Sequence, residues 1–270
     1  MASVVHDYME LKTKYEGLGT PFYLPLEGRL LIGTNHTQRV TKDSARTLQK
    51  KIEGFDHLII EGTRNDLTAG IQHSLQLGLL PNYEQCSYVF SKGEKHFLEE
   101  GVKLGELAAR HGFREDLYGL YYLFMFQSDI ILQRKRLGQT FYQTARGHLE
   151  RDVTMNGESI DTDLTIDRHR RLLLEFKIDP RLLSGAGNLF AWYTGRLRDF
   201  EYIGPGIKQL DSGLEGSKAV ISGIAHLEAI EKTLRGKTLD NPPNWNEFVK
   251  SLPQEQREFL QKLENNIFPL

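Results

Sequence analysis

The stretch from 28 to 62, GRLLIGTNHTQRVTKDSARTLQKKIEGFDHLIIEG, decides the fold. Its first six residues form a short apolar run that a glycine closes, which is typical of a buried strand. A helical pattern with its cap at Thr41 follows, and a second apolar run occupies 57–62. A strand, a helix and a strand in this order predict a βαβ unit whose two strands are parallel.

The remainder of the chain extends this unit. Residues 65–165 have a mostly helical pattern, 218–223 form another short β-like run that ends in glycine, and 245–263 form an amphipathic helix pattern. We therefore predict an α/β fold with a central sheet, mostly parallel or mixed, flanked by helices. A large helical insertion separates the second strand from the C-terminal strands.

The chain length permits two domain organisations. At 270 residues the chain is near the upper limit for one hydrophobic core, so one domain with an insertion and two domains are both compatible with the length. The interpretation adopted is a single α/β domain over 1–270, with the insertion at 65–165.

Composition excludes several classes of protein. The net charge of −2 and the pI of about 6.5 argue against a basic surface over the whole molecule, so we expect no nucleic-acid partner. Cys86 is the single cysteine, so an internal disulfide is impossible, and the first residues lack a secretory pattern. Polar residues interrupt the longest apolar stretch, 117–132, which is shorter than the ~20 residues of a membrane span. These features predict a cytoplasmic protein without a membrane span.

Three polar side chains follow the predicted strands. His36 comes three residues after Gly33, Glu61 closes the run 58–60, and His226 comes three residues after Gly223. Ligands of open α/β sheets bind at the carboxyl ends of the strands. The chain has five Gly-x-x-His pairs, so this spacing alone means little, but only the first and the last follow an apolar run. We predict that the two histidines and Glu61 form the working centre.

Two imidazoles and a carboxylate are compatible with several kinds of chemistry. They can bind a divalent metal such as Mn²⁺, Co²⁺ or Zn²⁺ and leave positions for water and substrate. Without a metal, a histidine can act as the general base while the glutamate tunes its pKa. They can also be interior histidines beside a glutamate that pairs with an arginine. The residues themselves leave these alternatives open.

Four motifs, taken in order, resemble those of the TraB/Tiki family, which forms a superfamily with erythromycin esterases and the haem-binding ChaN proteins. They are Leu31-Ile-Gly-Thr-Asn-His36, Leu58-Ile-Ile-Glu61, Arg198-Asp199 and Gly223-Ile-Ala-His226. The resemblance covers 30–64 and 195–235, and the helical middle matches in general character only.

The resemblance implies a hydrolase that acts on an amide or ester bond of a small molecule or peptide. His36, Glu61 and His226 would be the reactive or metal-binding groups, and Arg198 would stabilise negative charge on the substrate. The positions that would support them are Gly33, Thr34, Asn35, Asp199 and Gly223. Many relatives have asparagine in place of Asp199, so the resemblance does not define its role.

The same resemblance admits a second interpretation. A ligand-binding or regulatory protein on this fold would hold haem or a peptide without turnover. Independently of both interpretations, Arg198 can be a helix-surface residue in an ion pair with Asp199 or Glu201. The helical insertion or the C-terminal helix offers a surface for a homo-oligomer.

Overall fold

The computed structural model describes residues 22–34, 42–61, 86–88, 104–133, 142–143, 145–147, 149–150 and 160–267. Within these ranges the chain forms five strands and nine helices of at least seven residues. In chain order they are β1 (Phe22–Leu26), β2 (Arg29–Thr34), α1 (Lys42–Ile52), β3 (His57–Ile60), β4 (Cys86–Tyr88), α2 (Leu104–Arg110), α3 (Tyr118–Gln133), α4 (Thr162–Leu174), α5 (Pro180–Arg198), α6 (Gly204–Gly213), β5 (Lys218–Gly223), α7 (Leu227–Leu234), α8 (Trp245–Ser251) and α9 (Gln254–Ile267).

The five strands form one mixed sheet in the order β1-β2-β5-β3-β4. β1 is antiparallel to β2, and every other pair of neighbours is parallel. β2 and β3 therefore point the same way, as the βαβ pattern predicts, and the fold is α/β. The two strands are not neighbours, however, because β5 lies between them and pairs with both.

Both faces of this sheet carry apolar side chains, which explains why its central strands read as nearly continuous apolar runs. On one face, residues of β2, β3 and β5 pack with residues that follow Arg198 in the chain: Leu31, Ile59, Val220, Ile203, Ile207, Leu227 and Ile230. On the other face, alternate residues of the same strands pack with α1: Leu30, Ile32, Leu58, Ile60, Ala219 and Ile52.

The described residues group into two compact units. The sheet unit contains 22–34, 42–61, 86–88 and 198–242, and the helical unit contains 243–267 and the described residues from 104 to 197. Compactness does not measure independent folding, so the single domain over 1–270 stays a prediction. None of the described helices is both long and apolar enough to cross a membrane.

The helical unit has an aromatic core in which Phe113, Phe190 and Trp245 contact one another, with ring centroids 4.8–6.4 Å apart. The helix predicted at 245–263 is in fact two helices, α8 and α9. Asn244 begins α8 with a capping box, and Leu252, which precedes Pro253, has an extended backbone. This is the conformation that a following proline favours, and it ends α8.

His169 makes the stability of the helical unit depend on pH. Its side chain is fully buried in α4 against the ring of Phe124, and burial lowers the pKa of this histidine to about 3. Between pH 6.5 and 4 the unfolded chain binds a proton here that the folded chain does not bind, so the free energy of unfolding falls as the pH falls. One such group contributes a slope of up to about 1.4 kcal/mol per pH unit. We expect urea unfolding of His169→Phe to lose about this much of the wild-type slope between pH 4 and 5.5, and an unchanged slope would contradict the assignment.

Candidate functional site

Glu61 extends the ladder between β3 and β5 by one residue. Ile60 pairs with Ile221, and the Glu61 amide then donates to the Ile221 carbonyl at 2.9 Å. This bond fixes the backbone of Glu61 at the carboxyl end of β3, beside the last residues of β5. The side chain is only 13% exposed, so the sheet carries a buried carboxylate at the edge where the sequence predicts the site.

The two carboxylate oxygens of Glu61 have different partners. Oε2 accepts hydrogen bonds from the Ser222 hydroxyl at 2.6 Å and from the Gly223 amide at 2.8 Å. Oε1 lies 3.3 Å from Nε2 of His226 and 3.7 Å from Nη2 of Arg198. One oxygen is therefore anchored to β5, and the other faces nitrogen atoms of His226 and Arg198.

His226 lies between two carboxylates. It ends a short 3₁₀ turn, Ile224–His226, which connects β5 to α7, and its side chain is 8% exposed. Nδ1 is 2.6 Å from Oδ1 of Asp199, opposite the Nε2 contact with Glu61. An imidazole can donate from both nitrogens only in its cationic form. The geometry therefore fits a protonated His226 that bridges Asp199 and Glu61.

The electrostatics of the cluster agree with this arrangement. Burial lowers the pKa of His226, but the carboxylates of Glu61 and Asp199 outweigh burial and raise it above its ordinary value. Burial raises the pKa of Glu61, yet His226, Arg198 and the bonds from β5 lower it to about 2. Such opposed shifts are typical of functional sites and also occur in structural ion-pair networks.

A π-helical segment begins at the end of α5, where Arg198 and Asp199 lie in the candidate site. α5 ends at Arg198, and the segment Asp199–Ile203 follows before α6 begins at Gly204. The Gly204 amide donates to the Asp199 carbonyl, and a Cβ at Gly204 would lie 2.9 Å from that oxygen, so glycine suits this close approach. π-helical turns occur frequently at functional sites. Here the segment begins where Arg198 reaches Glu61 and Asp199 reaches His226.

The structure brings together four of the residues that the sequence singles out: Glu61, Arg198, Asp199 and His226. Gly223 contributes its amide, as described above. Gly33 pairs with Ser222, and a Cβ at Gly33 would run into the side chain of Leu227, so this glycine allows close packing at the strand end.

Two of the predicted residues, Asn35 and His36, lie outside the described residues. For Thr34 only the backbone is described, and it pairs with Gly223 at the end of β2. The predicted roles of these three side chains stay predictions.

Ser222 is a site residue that the sequence reasoning missed. It is a buried polar residue, 2% exposed, and follows the apolar residues 219–221 near the end of β5. A buried hydroxyl needs a hydrogen-bond partner. A serine directly before the second Gly-x-x-His motif is the one sequence signal that could have indicated this contact.

Glu61 and His226 are the described side chains that could hold a cation. Oε1 and Nε2 face each other, and Asp199 holds the other ring nitrogen, as a carboxylate commonly does for a metal-bound histidine. Within the described part of the chain, no group of three or more His, Cys, Asp or Glu side chains is arranged to hold a metal ion. The described donors thus fit two positions of a divalent metal, and on sequence grounds His36 would supply a third.

Comparisons with known proteins give no match: no family model, curated protein or solved structure is significantly similar to this chain. The resemblance to the TraB/Tiki family therefore rests on the four motifs alone. The side chains that meet at the carboxyl ends of β3 and β5 are therefore the main indication of what the chain does.

Proposed function

We propose that this chain is a hydrolase of the TraB/Tiki type that cleaves an amide or ester bond in a small molecule or peptide. The observation that supports this proposal most is the buried chain of side-chain contacts from Asp199 through His226 to Glu61, with Arg198 beside Glu61. It combines an oriented imidazole, a carboxylate and a guanidinium at the sheet edge where α/β proteins bind ligands.

In the proposed reaction His226 moves the proton. Asp199 holds Nδ1, so the ring keeps one orientation and its cationic form is stabilised, and Nε2 exchanges a proton with the attacking water or the leaving group. Glu61 lies beside Nε2 and orients the water. Arg198 stabilises the negative charge that develops on the carbonyl oxygen, because a guanidinium offers fixed donors to an oxyanion.

In a metal-dependent form of the proposal, His226 would be a metal ligand and would not transfer the proton. Glu61 and His226, with His36 on sequence grounds, would hold Mn²⁺, Co²⁺ or Zn²⁺, which lowers the pKa of a bound water to roughly 7. His226 would bind through Nε2, while its protonated Nδ1 would still donate to the Asp199 carboxylate. The proton on Nε2 and the metal would compete for the same site, so the affinity for metal would rise with pH.

The proposal carries four further predictions from the sequence. Helices flank the sheet, and the stretch 65–165 is a helical insertion into the α/β fold. The protein is cytoplasmic, and it forms a homo-oligomer through the insertion or the C-terminal helices. Gel filtration with light scattering measures the oligomeric state directly.

Turnover by wild type, Glu61→Gln and Asp56→Asn tests the proposed function. Asp56 is a matched control, since it also accepts a hydrogen bond from a serine, Ser217, but it is exposed and lies at the amino end of β3, whereas Glu61 follows the carboxyl end. On a panel of peptide amides and carboxylic esters, with and without added Mn²⁺, Co²⁺ or Zn²⁺, we expect kcat/KM of Glu61→Gln to fall on the order of 10²- to 10³-fold. Asp56→Asn should keep wild-type turnover, with folding of both variants checked by circular dichroism.

Metal analysis and visible spectra of the same samples separate the rival interpretations. Stoichiometric Mn, Co or Zn that Glu61→Gln loses supports the metal-dependent form of the proposal. A haem absorption band in wild type, without turnover, supports a ligand-binding protein instead. Wild-type turnover in Glu61→Gln would contradict the proposed mechanism.

A further inference from the structure

A serine binds a carboxylate at each end of the pairing between β3 and β5. At the amino end, the Ser217 hydroxyl and amide both donate to Oδ2 of Asp56 at 2.8 Å. At the carboxyl end, the Ser222 hydroxyl and the Gly223 amide donate to Oε2 of Glu61. Both serines lie 161 positions after their carboxylate, which is the constant offset of the parallel ladder from His57–Lys218 to Ile60–Ile221.

The two serine–carboxylate pairs differ in the burial of the carboxylate and in its other partners. Asp56 is exposed and closes the turn before β5, where Gly216 has a φ of +91° and a Cβ would lie 2.6 Å from Asp56. Glu61 is buried, and its second oxygen faces His226 and Arg198. The first pair is therefore a structural contact, whereas the second one holds a residue of the candidate site.

We infer that Ser222 is a positioning residue, whose hydroxyl, together with the Gly223 amide, holds Oε2 of Glu61 and directs Oε1 toward His226 and Arg198. A glutamate side chain has three rotatable bonds, and two hydrogen bonds to one oxygen remove most of that freedom. Because Ser222 is nearly fully buried, its hydroxyl has little access to water, and Glu61 supplies the acceptor.

Without the hydroxyl, the Gly223 amide alone would hold Oε2. Glu61 could then rotate and present both oxygens to the two cationic side chains, so that the distance from Oε1 to Nε2 of His226 would no longer be fixed. The positioning role of Ser222 is inferred from this geometry, and it does not require that the protein turns over a substrate. The inference deepens the proposed function by naming what orients Glu61 during the reaction.

Ring signals of His226 test the inference without any substrate. In long-range ¹H–¹⁵N spectra of the metal-free full chain at pH 7, we expect Ser222→Ala to move the His226 ring signals and the Gly223 amide signal. Ser222→Thr keeps the hydroxyl, so its His226 ring signals should lie close to their wild-type positions. Ser217→Ala removes the matched hydroxyl at the other end of the ladder and should leave them at their wild-type positions. Wild-type ring signals in Ser222→Ala, or an equal movement in Ser217→Ala, would overturn the inference.

The same variants separate this inference from the proposed function. If wild type hydrolyses a substrate of the panel, we expect kcat/KM of Ser222→Ala to fall 10- to 100-fold, the usual effect of removing a partner that orients a reactive or metal-binding group. If Ser222→Ala moves the ring signals while wild type turns over no substrate, the positioning role stands and the hydrolase proposal fails. Full turnover in Ser222→Ala would overturn the positioning role.

Discussion

Gly187→Ala is expected to destabilise the helical unit by about 3 kcal/mol, the upper end of the usual cost of overpacking, because the added methyl has no room between two helices. Gly187 lies on α5, and a Cβ there would lie 2.7 Å from both Cα of Met125 and the carbonyl carbon of Phe124. These are backbone atoms of α3, which no rotamer change can move. The helices must therefore separate, and the aromatic packing of Phe190 against Tyr118 and Tyr121 would be disturbed with them.

Gly185→Ala is the matched control, on the same helix and two residues earlier. Gly185 is exposed, and a Cβ there would meet nothing within 4 Å. The intrinsic preference of helices for alanine should therefore stabilise this variant by about 0.5–1 kcal/mol. Urea unfolding followed by circular dichroism measures both effects. Equal stability of the two variants would contradict the close crossing of α3 and α5.

Local sequence patterns predict part of the sheet unit. The glycine-closed runs become β2 and β5, the helical pattern that follows β2 becomes α1, and the run before Glu61 becomes β3. Each of these elements depends on burial and capping signals that lie within a few residues of one another. The patterns miss β1, and β4 is a strand within the stretch 65–165 that is predicted to be mostly helical. The break between α8 and α9 also has a local signal, because Pro253 disfavours a helical conformation of Leu252. The amphipathic pattern continues across this proline, so it predicts one helix instead of two.

The neighbours in the sheet could not be predicted in the same way. β5 lies between β2 and β3 although more than 150 residues separate it from either strand. Because nothing in the apolar runs distinguishes one partner from another, the strand order is a property of the whole fold. The contact of Ser222 with Glu61 follows from this order and from the register, and sequence reasoning missed it for that reason.

The helix that carries Arg198 and Asp199 illustrates a second limit. The resemblance to known motifs predicts an arginine and an acidic residue on a helix, but not that a π-helical segment begins at Asp199. A π-helical turn adds one residue to the turn and has no strong sequence signal of its own. Gly204, which permits the close approach to the Asp199 carbonyl, is the residue that comes nearest to such a signal.

His226→Gln is expected to lower kcat/KM at pH 7 on the order of 10⁴-fold on any substrate that wild type hydrolyses, because the variant loses the group that transfers the proton. The variant also leaves the buried carboxylates of Glu61 and Asp199 without their shared imidazole, so a loss of roughly 3–5 kcal/mol in stability accompanies it. The assay therefore runs at a temperature at which circular dichroism shows the variant to be folded.

Two companion variants make this result specific. His57→Gln changes a partly exposed histidine at the amino end of β3, away from the carboxyl-end cluster, and should keep wild-type turnover. Asp199→Asn keeps the shape of the side chain that holds Nδ1 of His226 but removes its charge, so the cationic form of the ring loses stabilisation. We expect it to lie between His57→Gln and His226→Gln in kcat/KM.

The central claim is that the side chains gathered around His226 at the ends of β3 and β5 are the working centre of this protein. The measurement that tests it most directly is kcat/KM of wild type, His226→Gln and His57→Gln across the amide and ester panel, with the His36→Ala, His226→Ala double variant alongside. The account predicts turnover by wild type and His57→Gln and its near-complete loss in both variants that lack His226. Full hydrolytic activity in the double variant, or no turnover by wild type on any substrate, would contradict it.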